Sequence, residues 1–248
     1  MHKIKIPLMM ALLAFFSIST LAQVKKPVPK KTVVTQKNPV TKIKPVTKIQ
    51  PAVKIPGTRI QITTDSGVIV VRLYDKTPKH RDNFIKLTNE HFFDSLLFHR
   101  VINGFMIQGG DPESKNAQPG AMLGNGDVGY TIPAEFDTAL YHKKGALAAA
   151  RTNNPEKASS GCQFYLVQGR PYGDDELNNI EMQMGAKFSA AKRKMYKTIG
   201  GTPFLDMNYT VFGEVESGLN VIDKIAGVPK DGSDRPIGNV RMKIVVLK

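Results

Sequence analysis

The sequence predicts a mainly β fold, a closed β-barrel capped by two α-helices, with an additional helical insertion near residues 174–199. Three observations lead there. Eight alternating or β-branched runs are separated by Gly-rich turns. Two short stretches carry helical spacing, and no regular helix stands between successive strands, which argues against a parallel α/β sheet. The chain has 248 residues, 41% hydrophobic and 23% charged, enough for one domain plus extensions.

The net charge of +14 invites a nucleic-acid reading until the charges are placed. Residues 1–57 hold eleven lysines and no acid, so all but three of those fourteen charges sit in a basic front end. Residues 1–22 read as a secretory signal peptide. Lys3 and Lys5 form a positive start, Pro7 to Phe16 an apolar stretch, and Ala22 the small residue at the cleavage position. The apolar stretch is short for a membrane-spanning helix of about 20 residues. No Cys follows it, which argues against a lipid anchor. The protein is therefore expected to be exported, periplasmic or secreted, and to meet no nucleic acid.

Residues 23–57 contain nine Lys, six Pro, seven Val and four Thr, with the repeat Pro39-Val-Thr-Lys-Ile43, Pro45-Val-Thr-Lys-Ile49. Such a segment buries too little apolar surface to offset its ordering entropy and is expected to be a disordered linker. In polyproline II form its reach approaches roughly 100 Å. It is either a solvated spacer or an electrostatic tether to an anionic envelope surface.

The domain is expected over residues 58–248. Arg59–Thr64 alternates at period two, Asp65-Ser66-Gly67 turns, and Val68–Leu73 returns as a strand. Thr77 is the expected N-cap of a helix with Pro78 at its first position, continued by Phe84, Leu87 and His91. Further strands are expected at Leu97–Ile102, Phe105–Gln108, Ala146–Ala150, Gln163–Gln168, Thr210–Val215 and Val240–Leu247, with a second helix at Leu219–Ile225. Between Gly173 and Gly200, Leu177, Ile180, Met184, Phe188, Ala191, Met195 and Ile199 fall on one helical face, which reads as core-facing. Acids at the start and bases at the end suit the dipole of that helix, and Gly185 is its one candidate break.

Most enzyme signatures are missing. The five His offer no i, i+4 pair, no Gly-x-Ser-x-Gly elbow exists, and Gly124-Asn-Gly-Asp-Val-Gly129 lacks the residues of a phosphate loop and reads as a turn. The single Cys162 excludes an internal disulfide framework and reads as a small buried hydrophobe. No metal or cofactor is expected. The informative run is Phe98-His-Arg-Val-Ile-Asn-Gly-Phe-Met-Ile-Gln-Gly-Gly-Asp111. One cation, Arg100, sits among apolar residues with the amide Gln108 nearby. That set suits a neutral ligand with a polarisable carbonyl and does not suit acid–base hydrolysis, since no carboxylate or second base accompanies it.

This run resembles the hallmark of cyclophilin-type peptidyl-prolyl isomerases, Phe-His-Arg-Val-Ile-x-Gly-Phe-Met-x-Gln-Gly-Gly-Asp. The resemblance extends to Tyr130–Phe136, Gly145–Arg151, Ser160–Tyr165 and Leu205–Gly213, and so covers about residues 58–248 apart from 170–203. It implies an eight-stranded antiparallel barrel with two helical caps. It also implies Arg100 as the catalytic guanidinium, Phe105, Met106, Leu205 and Tyr165 around a proline pocket, and Gln108 on the substrate backbone. Ala150 and Arg151 would border the groove by their backbone. Phe204 stands where strongly cyclosporin-sensitive members have Trp, and Tyr209 where many have His. The 170–203 segment exceeds the family's minimal connection and is expected to overhang one end of the groove. The expected partners are proline-containing peptides and unfolded or partly folded exported proteins, met by a monomer. The alternatives are a proline-directed binding module or chaperone with little turnover, and a scaffold tethered to the envelope by the basic tail.

Overall fold

The computed structural model describes residues 57–248. The signal-peptide and linker readings lie outside the described residues, Gly57 excepted. β1 (Arg59–Thr64) and β2 (Gly67–Leu73) form the expected hairpin in unbroken register, from Arg59 opposite Arg72 to Thr64 opposite Gly67. After α1 (Pro78–Asn89) come β3 (Phe98–Ile102), β4 (Met106–Gly109), β5 (Thr131–Ile132), β6 (Ala146–Ala149), β7 (Ser159–Ser160) and β8 (Phe164–Val167). Two helices, α2 (Asp174–Met184) and α3 (Ala190–Thr198), precede β9 (Val211–Ser217), α4 (Leu219–Ala226) and β10 (Met242–Leu247).

Eight strands form one antiparallel sheet in the order β10-β1-β2-β9-β6-β8-β4-β3, while β5 and β7 pair separately. The expected closed barrel is corrected here. The sheet curls into an open half-barrel whose edges, β10 and β3, share no ladder. They meet only at the isolated bridge Leu97–Arg241 and through backbone hydrogen bonds of 2.8–2.9 Å joining 95–98 to 240–242. That contact reaches only the first residue of β3, Phe98, and the first residue of β10, Met242.

Side chains alternate across the sheet, and the two faces have different fates. Val101, Ile107, Leu147, Phe164 and Leu166 join Ile60, Ile62, Ile69, Val71 and Leu73 in the main core, capped by Phe84 and Leu87 of α1 and by Val221, Ile222 and Ile225 of α4. The opposite face carries a second cluster with Met106, Ala146, Ala148, Tyr165, Val167 and Val211. That face holds the candidate site.

The helices depart from expectation in three ways. Thr77 occupies the N-cap position of α1, but its hydroxyl donates to the Tyr74 carbonyl and not to the helix. The cap comes from 55 and 56 residues away: the Glu135 carboxylate accepts the N–H groups of His80 (3.0 Å) and Lys79 (3.1 Å). His91 lies beyond the helix end, in left-handed backbone at φ 57°. The insertion is two helices, not one. Gly185 closes α2 at φ 62°, a conformation a side chain resists, and the chain folds back so that Arg193 and Lys197 of α3 reach Asp174 of α2 at 2.9 and 2.6 Å. The charges read as dipole complements thus pin a helical hairpin. The single stripe breaks with it. Leu177 and Tyr196 are buried, with Ile180, Phe188, Tyr141 and Tyr172 around them, whereas Ile199 is exposed.

Candidate active site

The site is built by strand register. Arg100 on β3 lies opposite Gln108 on β4, Gln108 opposite Tyr165 on β8, and Tyr165 opposite Ala148 on β6. Directly opposed residues share a face, so these four form one row across four strands. Strict alternation would have put Arg100 on the same side as buried Phe98, inside the core. A register shift between Phe98 and Arg100 prevents that, turning Arg100 outward while Val101 returns to the core.

Over this row lies a cavity of 140 Å³. Arg100 and Gln108 stand at one side, Phe105, Met106, Tyr165 and Leu205 form apolar wall, and Ala150, Arg151 and Tyr209 complete the lining. Nine of the ten expected site residues therefore meet in one place. Phe204 does not line the cavity. It sits beside it, 43% exposed, with its ring stacked on Phe105 at 5.8 Å between centroids. A short 3-10 turn, Pro203–Leu205, sends Leu205 inward and Phe204 to the rim.

Arg100 is 42% exposed at its side chain, with its Nε 3.8 Å from an Asp234 carboxylate oxygen. Asp234 is claimed more closely by Lys230 at 2.6 Å. The Gln108 amide is oriented by a relay: its NH₂ donates to Gln163 (3.0 Å), whose own NH₂ donates to the Gly124 and Gly126 carbonyls (2.9 Å each). The Gly124–Gly129 turn therefore serves as a wall, held also by backbone N–H bonds to the Asp111 carboxylate. Ala150 spends its backbone internally, on the Gln163 carbonyl and the Ser160 N–H. Arg151 donates to the Asn208 carbonyl at 2.9 Å and lies over the Tyr209 ring at 4.7 Å, so it borders the groove by its guanidinium, a role the resemblance did not give it.

A second cavity of 330 Å³ shares Arg100, Gln108 and Arg151 and reaches Asp231 and Arg235. Its wall includes His99, which is buried and has neither ring nitrogen paired among the described residues. Burial pushes the His99 pKa down to about 4, so the imidazole is neutral near pH 7. Cys162 is buried, and burial raises its thiol pKa to about 11, which makes it a poor nucleophile. Two residues that sequence reasoning missed support the cavity from behind, His142 and Asp206. Asp206 could have been suspected only from its place after Leu205.

Residues 59–246 match the family model of cyclophilin-type peptidyl-prolyl cis-trans isomerases. A protein of Staphylococcus haemolyticus described as a peptidyl-prolyl cis-trans isomerase is 31% identical over 183 residues, which cover 73% of this chain and 87% of that one. A longer protein of Streptococcus pyogenes, described as a bifunctional phosphatase/peptidyl-prolyl cis-trans isomerase, is 34% identical over 194 residues; these cover 76% of this chain but 38% of the relative. Among solved structures, a cyclophilin-type isomerase of Cryptosporidium parvum superposes with a TM-score of 0.57 at 22% identity, covering 78% of this chain and 99% of its own, and so shares the fold. The matched span contains the whole outer-face row and the cavity above it, and the chain belongs to the family of cyclophilin-type peptidyl-prolyl cis-trans isomerases.

Proposed function

We propose that this isomerase seats the proline ring of a peptide in the 140 Å³ cavity, against Phe105, Met106, Tyr165 and Leu205, and that Arg100 lowers the rotational barrier. A peptide bond resists rotation by about 18–20 kcal/mol because the nitrogen lone pair is delocalised into the carbonyl. An uncatalysed X-Pro bond therefore exchanges in tens to hundreds of seconds. In the twisted transition state the lone pair returns to nitrogen, which becomes a hydrogen-bond acceptor. A guanidinium aimed at it stabilises the twisted form more than either planar form, which is the requirement for catalysis. The apolar wall favours the twisted state further, because the planar amide is the more dipolar. Gln108, oriented by Gln163, holds the substrate backbone.

The observation that carries this reading is the placement of Arg100: a strand irregularity turns it out of the core onto the rim of an apolar cavity. A second Cryptosporidium parvum cyclophilin structure, with a TM-score of 0.55 at 23% identity, was solved in the presence of the dipeptide Ala-Pro, which supports a proline-containing ligand. The test is exchange of an Ala-Pro peptide followed by NMR. Losing one preorganised donor to the transition state costs about 10²–10³ in rate, so Arg100→Ala falls by that range with its fold intact. Arg100→Lys recovers little, because an ammonium lacks the planar fork. Near-normal turnover in Arg100→Ala would remove the mechanism. Peptide binding without turnover in the native chain would favour the binding-module alternative.

The basic front end extends the proposal. Residues 1–22 carry the pattern of an export signal, so the clients are exported proteins during folding. The lysines of 23–57 supply charge for retention at an anionic envelope surface.

A further inference from the structure

A buried line of polar contacts connects the helical hairpin to the wall of the cavity. Tyr165 forms part of that wall, and its hydroxyl lies 3.0 Å from Nε2 of His142, the two rings nearly parallel at 13°. His142 is fully buried, and both its Nδ1 and its backbone N–H contact Asp206 Oδ1 at 2.9 Å. With the ring proton on Nδ1 directed at the carboxylate, Nε2 accepts from the Tyr165 hydroxyl. The other oxygen of Asp206 takes the Tyr196 hydroxyl at 2.7 Å and Lys192 Nζ at 2.6 Å, both from α3. Asp206 is 1% exposed.

Each link has a directional reason to hold. Burial alone would raise the Asp206 pKa, but the His142 and Lys192 contacts outweigh it and hold the carboxyl below its ordinary range, so it remains an acceptor. The Tyr196 hydroxyl keeps its proton, because burial and the neighbouring Asp206 charge push its pKa far up. At the other end, the Tyr165 ring is packed in the outer-face cluster, edge-on to Tyr209 at 6.0 Å between centroids. Packing fixes where the ring lies, and the hydroxyl bond to His142 fixes the direction of its tip. An unpaired hydroxyl at that depth would be costly, so the ring follows the imidazole.

We propose that α3 sets the shape of the proline cavity through this relay, with Tyr196 and Lys192 as positioning residues that act on Tyr165 by way of Asp206 and His142. The inference rests on the cavity being the proline site. It gives the insertion between β8 and β9 a function: it supplies two of the donors that keep the cavity wall in place, from a helix that does not itself line the cavity.

The experiment is a kinetic double-mutant cycle on the full chain with an Ala-Pro peptide. Tyr196→Phe and Tyr165→Phe each remove one hydroxyl oxygen. Coupled sites in one network commonly interact strongly enough to give about a three- to tenfold rise in KM for each, with kcat within about twofold. The double variant should be no worse than Tyr165→Phe alone, because the relay is already cut. A general loss of stability would lower the melting temperature without producing that dependence. An unchanged KM in Tyr196→Phe, or effects that multiply in the double variant, overturns the relay. If Tyr196→Phe fails to fold, Lys192→Met removes a different donor from the same carboxylate and is read by the same criteria. Arg100→Ala is measured alongside. If it is inactive while the cycle shows no coupling, only the relay falls; if it is fully active, the cavity is not the site and both readings fall.

Discussion

Phe204 shows how one side chain can belong to a site without lining it. Stacked on Phe105, it braces a residue of the 140 Å³ cavity from the rim. An indole at that position would add area and an N–H donor beside the groove. Phe204→Trp is expected to tighten cyclosporin by about 1–2 kcal/mol, the scale of one hydrogen bond plus packing, read by titration calorimetry. No gain would place the obstacle at Tyr209 or in the helical hairpin. Of the nine other candidate residues that meet at the cavity, the Phe98–Asp111 run supplies Arg100, Phe105, Met106 and Gln108, and three further matching runs supply Ala150, Arg151, Tyr165, Leu205 and Tyr209. That Phe204 stands at the rim was not legible, because adjacency to Leu205 does not say which way a three-residue turn faces. His142 and Asp206 were not legible at all: their partnership spans 64 positions and depends on both being buried.

Among the elements, α1 depends on a distant acid. Glu135 accepts two helix N–H groups and the His80 ring at 2.7 Å, and no other acid stands in the first turn. Burial raises the Glu135 pKa, but the His80 contacts outweigh it and bring it below the ordinary value. His80 is itself lowered, chiefly by burial, against the pull of Glu135. Both shifts have the same sign of consequence. The unfolded chain binds more protons as pH drops through the ordinary His and then carboxylate ranges, so this stability is present near neutrality and lost in acid. Glu135→Gln is expected to lower stability by about 1–2 kcal/mol near neutral pH, the scale of a lost helix cap. It should also flatten the acid limb of the melting-temperature profile, followed by circular dichroism. A parallel profile would assign the acid limb to other groups, His99 first among them. The eight longer strands were legible from alternation and β-branching. The two-residue strands β5 and β7 were not, because two residues carry no period, and the helical hairpin was read as one helix because its charge pattern fits either arrangement.

For the whole molecule, antiparallel sheet architecture was legible, but closure was not, since closure depends on how two strand edges diverge in space. The basic front end is a question of charge alone. If residues 23–57 tether the protein, the attraction is screened over about 8 Å at physiological ionic strength, and each lysine near an anionic surface contributes about 1 kcal/mol. Isolated envelopes are expected to hold the chain at low salt and release it in about 0.5 M NaCl. A chain shortened to begin at Gly57 should not be held but should isomerise small peptides equally fast. Equal retention of both would make the segment a spacer.

The division of the sheet into an inner and an outer face has a further consequence, for how this protein tolerates change. Ile107, Phe164 and Leu166 face the core, while their immediate neighbours Met106, Gln108 and Tyr165 face the cavity. Stability and turnover are thus written in alternate letters of the same two strands. A deep mutational scan scored separately for abundance and for isomerase activity should resolve β4 and β8 into odd and even positions. Substitutions at the core-facing Ile107, Phe164 and Leu166 should deplete the protein from the cell, and those at the cavity-facing Met106, Gln108 and Tyr165 should lower activity more than abundance. Selection on specificity can then proceed along β4 and β8 without a matching debt in folding, because neighbouring codons answer to different constraints.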